Sequence, residues 1–189
     1  ASAGCYSSCG NSIEWQAASS GTYTLVVGER DLDSGPGDYK ISLQVLGGAT
    51  TSVGDQDGGA LIPAGTVGGT IREVSEWDAW TFHADSGQRV LLSCVESGGA
   101  IDTWMTVYPE NGSPAVASAG CPTYYPCGNS IEWQAASSGT FTLIVGERDL
   151  DGAPGDYKIS LQVIGGATTS VGDPDGGALI ASFQGHLPT

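Results

Sequence analysis

The chain has 189 residues, 40% of them hydrophobic, and a formal charge of −15 from 21 acidic against 6 basic side chains. Such a balance argues against nucleic acid, whose phosphates need Lys and Arg to release counterions, and equally against insertion into or adhesion to an anionic membrane. The apolar content is enough for a core, which excludes wholesale disorder, while self-repulsion of this size favours bound or screening cations.

Taken in chain order, the sequence is organised by a repeat. Residues 28–45, GERDLDSGPGDYKISLQV, return at 146–163 as GERDLDGAPGDYKISLQV. The wider segments 9–62 and 127–180 differ at only six of 54 positions: Tyr23/Phe141, Val26/Ile144, Ser34/Gly152, Gly35/Ala153, Leu46/Ile164 and Gln56/Pro174. Their offset is 118 residues, and it drops to 116 for the upstream match of Ser2-Ala3-Gly4-Cys5 with Ser118-Ala119-Gly120-Cys121. A repeat of about 118 residues therefore predicts five parts. Residues 1–49 are the second half of one β-sandwich repeat, 50–63 an acidic Gly-rich linker, 64–167 a complete repeat, 168–180 a second acidic Gly-rich linker, and 181–189 the first strand of a following repeat. The chain starts at Ala1 without Met or a signal-like segment, as a mature protein or a piece of a longer one would. A half sandwich is not expected to be comfortable alone. Its expected partners are neighbouring copies of the same repeat, joined by covalent continuation or strand exchange.

Within the complete repeat, alternating apolar residues predict strands near 69–73, 79–83, 89–95, 103–108, 115–119, 130–134, 140–145 and 157–163. Turn signals separate them at Asp85-Ser86-Gly87, Glu96-Ser97-Gly98-Gly99, Glu110-Asn111-Gly112, Ser137-Ser138-Gly139 and Pro154-Gly155-Asp156. Phe141, Leu143 and Val145 share one face, with Ile144 opposite. Tyr157, Ile159, Leu161 and Val163 share another, with Lys158, Ser160 and Gln162 opposite, the pattern of a half-solvated strand. The spacing gives an all-β fold, a tandem array of β-sandwich domains.

Several blocks of this repeat carry a resemblance. The run Glu76-Trp-Asp-Ala-Trp-Thr-Phe-His-Ala-Asp-Ser-Gly-Gln-Arg-Val resembles the opening of the bacterial pre-peptidase C-terminal domains, and Asp102-Thr-Trp-Met-Thr-Val-Tyr-Pro-Glu-Asn-Gly resembles their next recurring block. Ser138-Gly-Thr-Phe-Thr-Leu-Ile-Val and Gly155-Asp-Tyr-Lys-Ile-Ser-Leu are similar to their two closing strands. The resemblance implies a secreted, non-catalytic, jelly-roll-like β-sandwich, some of whose members are similar to calcium-dependent collagen-binding domains of proteases. This chain departs from the pattern in carrying near-identical copies in tandem.

Two acidic constellations are candidate calcium sites. Asp31, Asp33 and Asp38, with their copies Asp149, Asp151 and Asp156, stand on glycine-bent loops that can offer several hard oxygens. Glu29 and Glu147 could add a carboxylate, and Arg30 and Arg148 could instead neutralise part of the charge. The same aspartates would equally serve an acidic turn by capping backbone N–H groups. The second constellation lies at the junctions: Asp55 and Asp57, with copies Asp173 and Asp175, could share a cation with Glu76 or Asp78 of the following unit and so stiffen the linker. The resemblance supports this, because linker carboxylates contribute ligands in calcium-dependent relatives. A plain flexible linker is the alternative. Asp102 is a further possible ligand.

Of the five cysteines, Cys5/Cys9 and Cys121/Cys127 flank a loop whose length differs between copies, which two disulfides would tolerate. Disulfides imply an oxidising setting, extracellular or at the cell surface. Cys94 is left over, either reduced and buried or linked elsewhere. With His almost absent, zinc is not expected. Trp15, Trp77, Trp80, Trp104 and Trp133 read as packing residues or as a sugar-stacking platform, and Asn111-Gly112 as a hairpin turn rather than a glycosylation site. No nucleophile elbow or phosphate loop occurs, so no enzyme is expected. The functional expectation is a structural repeat of a secreted bacterial fibre, stalk or matrix protein, stiffened by calcium and disulfides. The alternative is a non-catalytic collagen- or polysaccharide-binding module of a secreted hydrolase.

Overall fold

A computed structural model describes residues 12–28, 36–46, 57–112, 114–120, 128–148 and 154–164. Among these described residues nine strands run in order: β1 Gly58–Ala60, β2 Thr66–Ile71, β3 Trp77–Ala84, β4 Arg89–Gly99, β5 Thr103–Pro109, β6 Ala117–Gly120, β7 Gly128–Gln134, β8 Gly139–Glu147 and β9 Gly155–Ile164. They form a four-stranded sheet, β2-β9-β4-β7, and a five-stranded sheet, β1-β3-β8-β5-β6. From β2 to β9 the chain crosses between sheets at β2–β3, β3–β4 and β4–β5, and again at β6–β7, β7–β8 and β8–β9. This is the interleaved order of a jelly roll, and all its pairs are antiparallel except β1 beside β3. The all-β sandwich expected from the sequence is therefore present, and each of the eight expected strands coincides with one of β2–β9.

The alternation explains the core. On β9, Tyr157, Ile159 and Leu161 are buried while Lys158 and Gln162 face solvent. They meet Val90, Leu92 and Ile131 of their own sheet and Trp80, Phe82, Met105, Val107, Phe141 and Leu143 of the other. Burying one such side chain is worth about 1.5–3 kcal/mol. Tyr157 also ties the sheets together: its hydroxyl donates to Asp78 Oδ2 and accepts from Trp80 Nε1 at 3.0 Å. Gly69 lies directly under that ring, where a Cβ would collide with the hydroxyl. Burial, and then the charge of Asp78, hold the Tyr157 hydroxyl far above the usual tyrosine range.

β8 is central in its sheet and buried on both faces. Its outer face packs Ile144 with Ala79 and Tyr108, and Leu46 and Trp77 close over them. Tyr108 donates its hydroxyl to Glu14 Oε2 at 3.0 Å. The segment carrying Glu14 and Leu46 thus lies against the outside of the five-stranded sheet.

Three features differ from the sequence expectation. Part of the expected linker 50–63 is structured: β1 pairs with β3, and Leu61 enters the core and donates its N–H to the Thr81 carbonyl at 2.7 Å. The expected turn at Glu96-Ser97-Gly98-Gly99 is instead the end of β4, carried past a register shift between Glu96 and Gly98. Gly99 makes this possible with a φ of 82°, a backbone conformation that costs glycine nothing. Finally, residues 12–28 and 36–46, whose copies form β7, β8 and β9, carry no strand.

Candidate functional site

The end of the sandwich where β2 meets the start of β9 gathers three of the expected acidic residues. Thr70 holds two of them. Its N–H donates to Asp57 Oδ2 at 3.1 Å and its hydroxyl to Asp156 Oδ1 at 2.8 Å. Arg72, two residues further along the same edge, places Nη1 2.9 Å from Asp57 Oδ2 and 3.6 Å from Glu76 Oε1. Glu76 Oε2 also accepts the N–H groups of Arg72 and, at 3.0 Å, Glu73. Asp57 and Glu76 are therefore brought together on either side of the Arg72 guanidinium, a side-chain cation where the sequence suggests a bound one. In these contacts Asp57 and Glu76 accept from backbone N–H and guanidinium groups, the capping use of an acidic turn, while Asp156 accepts from the Thr70 hydroxyl.

Asp78 lies elsewhere. It is completely buried between the sheets, where its Oδ2 accepts from the Tyr157 hydroxyl. Asp38 is exposed on the segment 36–46. Asp31, Asp33, Asp55, Asp149, Asp151, Asp173 and Asp175 fall outside the described residues, as do Cys5, Cys9, Cys121 and Cys127. Among the described residues, no three His, Cys, Asp or Glu side chains gather as a metal-holding group. Glu147 is buried at the end of β8, the Asp102 carbonyl accepts the Arg148 N–H at 2.8 Å, and Glu96 Oε1 accepts the Thr103 N–H at 3.4 Å.

Cys94 is a free, fully buried thiol. Burial pushes it from 9.0 up to about 12, with a hydrogen bond from Thr103 opposing and the charge of Glu96 adding. The reduced, buried alternative is the one the structure takes. The tryptophans divide. Trp80 is in the core, and Trp133 packs edge-on against Phe141 with ring centroids 4.6 Å apart. Trp77 lies over Gly146 and Trp104 over Gly120 on the outer face of the five-stranded sheet, where a Cβ on either glycine would strike the ring. Asn111 sits in the expected turn, closed by the Gly112 N–H on the Pro109 carbonyl at 2.8 Å.

Sequence reasoning missed Thr70 and Arg72. One signal was available: a basic residue at the end of a predicted strand, in a chain with only 6, is a natural counter-ion for nearby carboxylates.

No family model matches the chain, and no curated protein matches it. Among solved structures it is similar to the pre-peptidase C-terminal domain of a Bacillus anthracis collagenase, 18% identical over 56% of this chain and 95% of that one, with a TM-score of 0.44. It is similar also to PliG of Aeromonas hydrophila, a periplasmic inhibitor of g-type lysozyme, at 12% identity over 57% and 97% of the two chains and a TM-score of 0.43. CorA of Methylomicrobium album BG8, a surface-associated copper-binding protein, gives 10% identity, 57% and 98% coverage and a TM-score of 0.43.

Proposed function

We propose that this chain is a structural repeat unit of a secreted bacterial fibre, stalk or matrix protein, non-catalytic and located outside the cell or on its surface. Neighbouring copies of the repeat are its partners, and calcium and disulfides stiffen it. The observation that carries the reading is a sequence one: two segments of 54 residues differ at six positions. Such near-identity suits a material, whose length grows by adding units that contact mainly their neighbours. The exposed apolar residues of segment 12–46 support it, because the same side chains find partners in the second copy. The chain's charge of −15 supports a role for divalent cations, with Asp31, Asp33, Asp149 and Asp151 as the residues that would hold them alongside Asp38 and Asp156.

Two measurements test the reading. Negative-stain images of native material should show filaments, and compact monomers alone would remove the fibre role. Thermal melts with and without a chelator should differ by several degrees, and coincident curves would remove calcium. Retention on collagen or insoluble glycans, together with monomers on the grid, would instead favour the binding-module alternative.

A further inference from the structure

The chain contains two copies of one strand set and, among its described residues, one place to put it. Residues 128–164 supply β7, β8 and β9. β8 fills the gap between β3 and β5, β9 fills the gap between β2 and β4, and β7 flanks β4. Residues 12–46 repeat that set with the changes Tyr23, Val26, Ser34, Gly35 and Leu46. We infer that the first copy competes with the second for these same seats, so that the sandwich exchanges between two connectivities within one chain, one of them circularly permuted.

Three observations carry this. The first copy presents the inward-facing residues of β9, as Tyr39, Ile41 and Leu43, to solvent. One of its internal contacts also matches the seated set. Trp15 and Tyr23 meet edge-on at 4.4 Å and 73°, and their counterparts Trp133 and Phe141 meet at 4.6 Å and 70°. The hydroxyl that Tyr23 has and Phe141 lacks donates to the Ser19 carbonyl within the same copy, so it carries its partner with it into the buried seat.

The third observation is that the permuted connection can close. With Leu46 in the seat of Ile164, opposite Arg89, the chain must return to Asp57, which Thr70 holds beside Asp156 at the other end of β9. From Asp156 to Ile164 the strand spans about 26 Å. Residues 47–57 reach about 36 Å when extended. The exchange needs no new contact type, and it is the intrachain alternative to the strand exchange between neighbouring copies in the fibre reading.

Hydrogen exchange and a disulfide trap on the full chain test it. Ile159→Asp places a charge at a fully buried position of the second copy. In this variant, backbone amides of 12–46 should gain protection on the order of tenfold or more while β2–β5 stay protected. Peptides of the two copies differ in mass at Tyr23/Phe141 and Val26/Ile144. Loss of protection throughout the sandwich would overturn the inference. In the trap, Ile41→Cys is combined with Ile159→Asp in a glutathione buffer. Cys94 is the cross-strand partner of position 159, so the thiol at position 41 should link to Cys94 within one chain. Ile159→Cys alone is the control for linkage at that seat. No link at position 41 where the control links, or a link found only between two chains, would overturn intrachain exchange.

Discussion

Residues 36–46 and 154–164 are almost the same sequence in two surroundings. Tyr39, Ile41 and Leu43 are 68%, 53% and 83% exposed, whereas Tyr157, Ile159 and Leu161 are 1%, 0% and 1% exposed. The second segment is a ten-residue strand with β2 on one side and β4 on the other; the first carries no strand. Propensity, alternation and turn chemistry are shared, so none of them can account for the difference. What differs is the presence of neighbours that take up the backbone N–H and C=O groups and cover one face. A strand is a property of the pair as much as of the sequence. The ties that do hold the first copy are of another kind. They include the Leu46 contact, the Glu14 hydrogen bond to Tyr108, the Ser42 hydroxyl on the Ser75 carbonyl, and an exposed Lys40–Glu73 pair of the sort worth little in water.

The comparison is broken most sharply by substitutions that exist in one surrounding and not the other. Leu92 on β4 is fully buried and has no twin among the described residues, so Leu92→Ala should cost about 2–5 kcal/mol in denaturant unfolding. Leu161→Ala should cost less than that, because the copy carrying Leu43 can take its seat. Leu43→Ala should change stability by no more than about 0.5 kcal/mol. Equal costs at Leu92 and Leu161 would show that the two copies do not exchange.

A smaller effect separates the glycine twins. At Gly146 a Cβ would stand 2.5 Å from the Trp77 ring, while at Gly28 nothing lies within 4 Å. Gly146→Ala should therefore destabilise by about 1–3 kcal/mol through overpacking. Gly28→Ala should be neutral or slightly stabilising, since it narrows the unfolded ensemble. Calorimetric melts of the two variants side by side give the comparison directly.

The last expected effect is in alkali and belongs to the second surrounding alone. The Cys94 thiol rises to about 12 in the folded state, chiefly through burial. A raised value means that the folded state favours the neutral thiol. Its contribution is complete below about pH 9 and is lost as pH climbs towards 12. Unfolding midpoints measured from pH 8.5 to 11 should fall, and Cys94→Ala should flatten that fall while lowering the starting value. An identical pH slope in the variant would assign alkaline loss to other groups such as Tyr108, also raised to about 12 by burial and by Glu14.

The candidate site was partly legible. Asp57 and Glu76 could be paired on paper because a junction must bring the end of one unit to the start of the next. Asp78 stands two residues beyond Glu76, on a strand whose side chains alternate, and it turns inward to Tyr157. Treating 76 and 78 as equivalent overlooked that the chain becomes a strand at Trp77, after which a neighbour in sequence is no longer a neighbour on the surface. Glu96-Ser97-Gly98-Gly99 misled for a related reason. Two adjacent glycines signal a turn, but they equally let one strand bend past the start of another, here against Gly155.

By itself the sequence determined the all-β class, the period of the repeat, the positions of eight strands and the inward face of β9. All of these follow from alternation and punctuation, which are local. Only the tertiary structure decided which of two near-identical copies became strands, that Arg72 stands between Asp57 and Glu76, and that Asp78 is spent inside the core. Each of these depends on what lies across from a residue, and a jelly roll sets that by joining strands far apart in the chain, as when Thr70 meets Asp156 and Asp78 meets Tyr157.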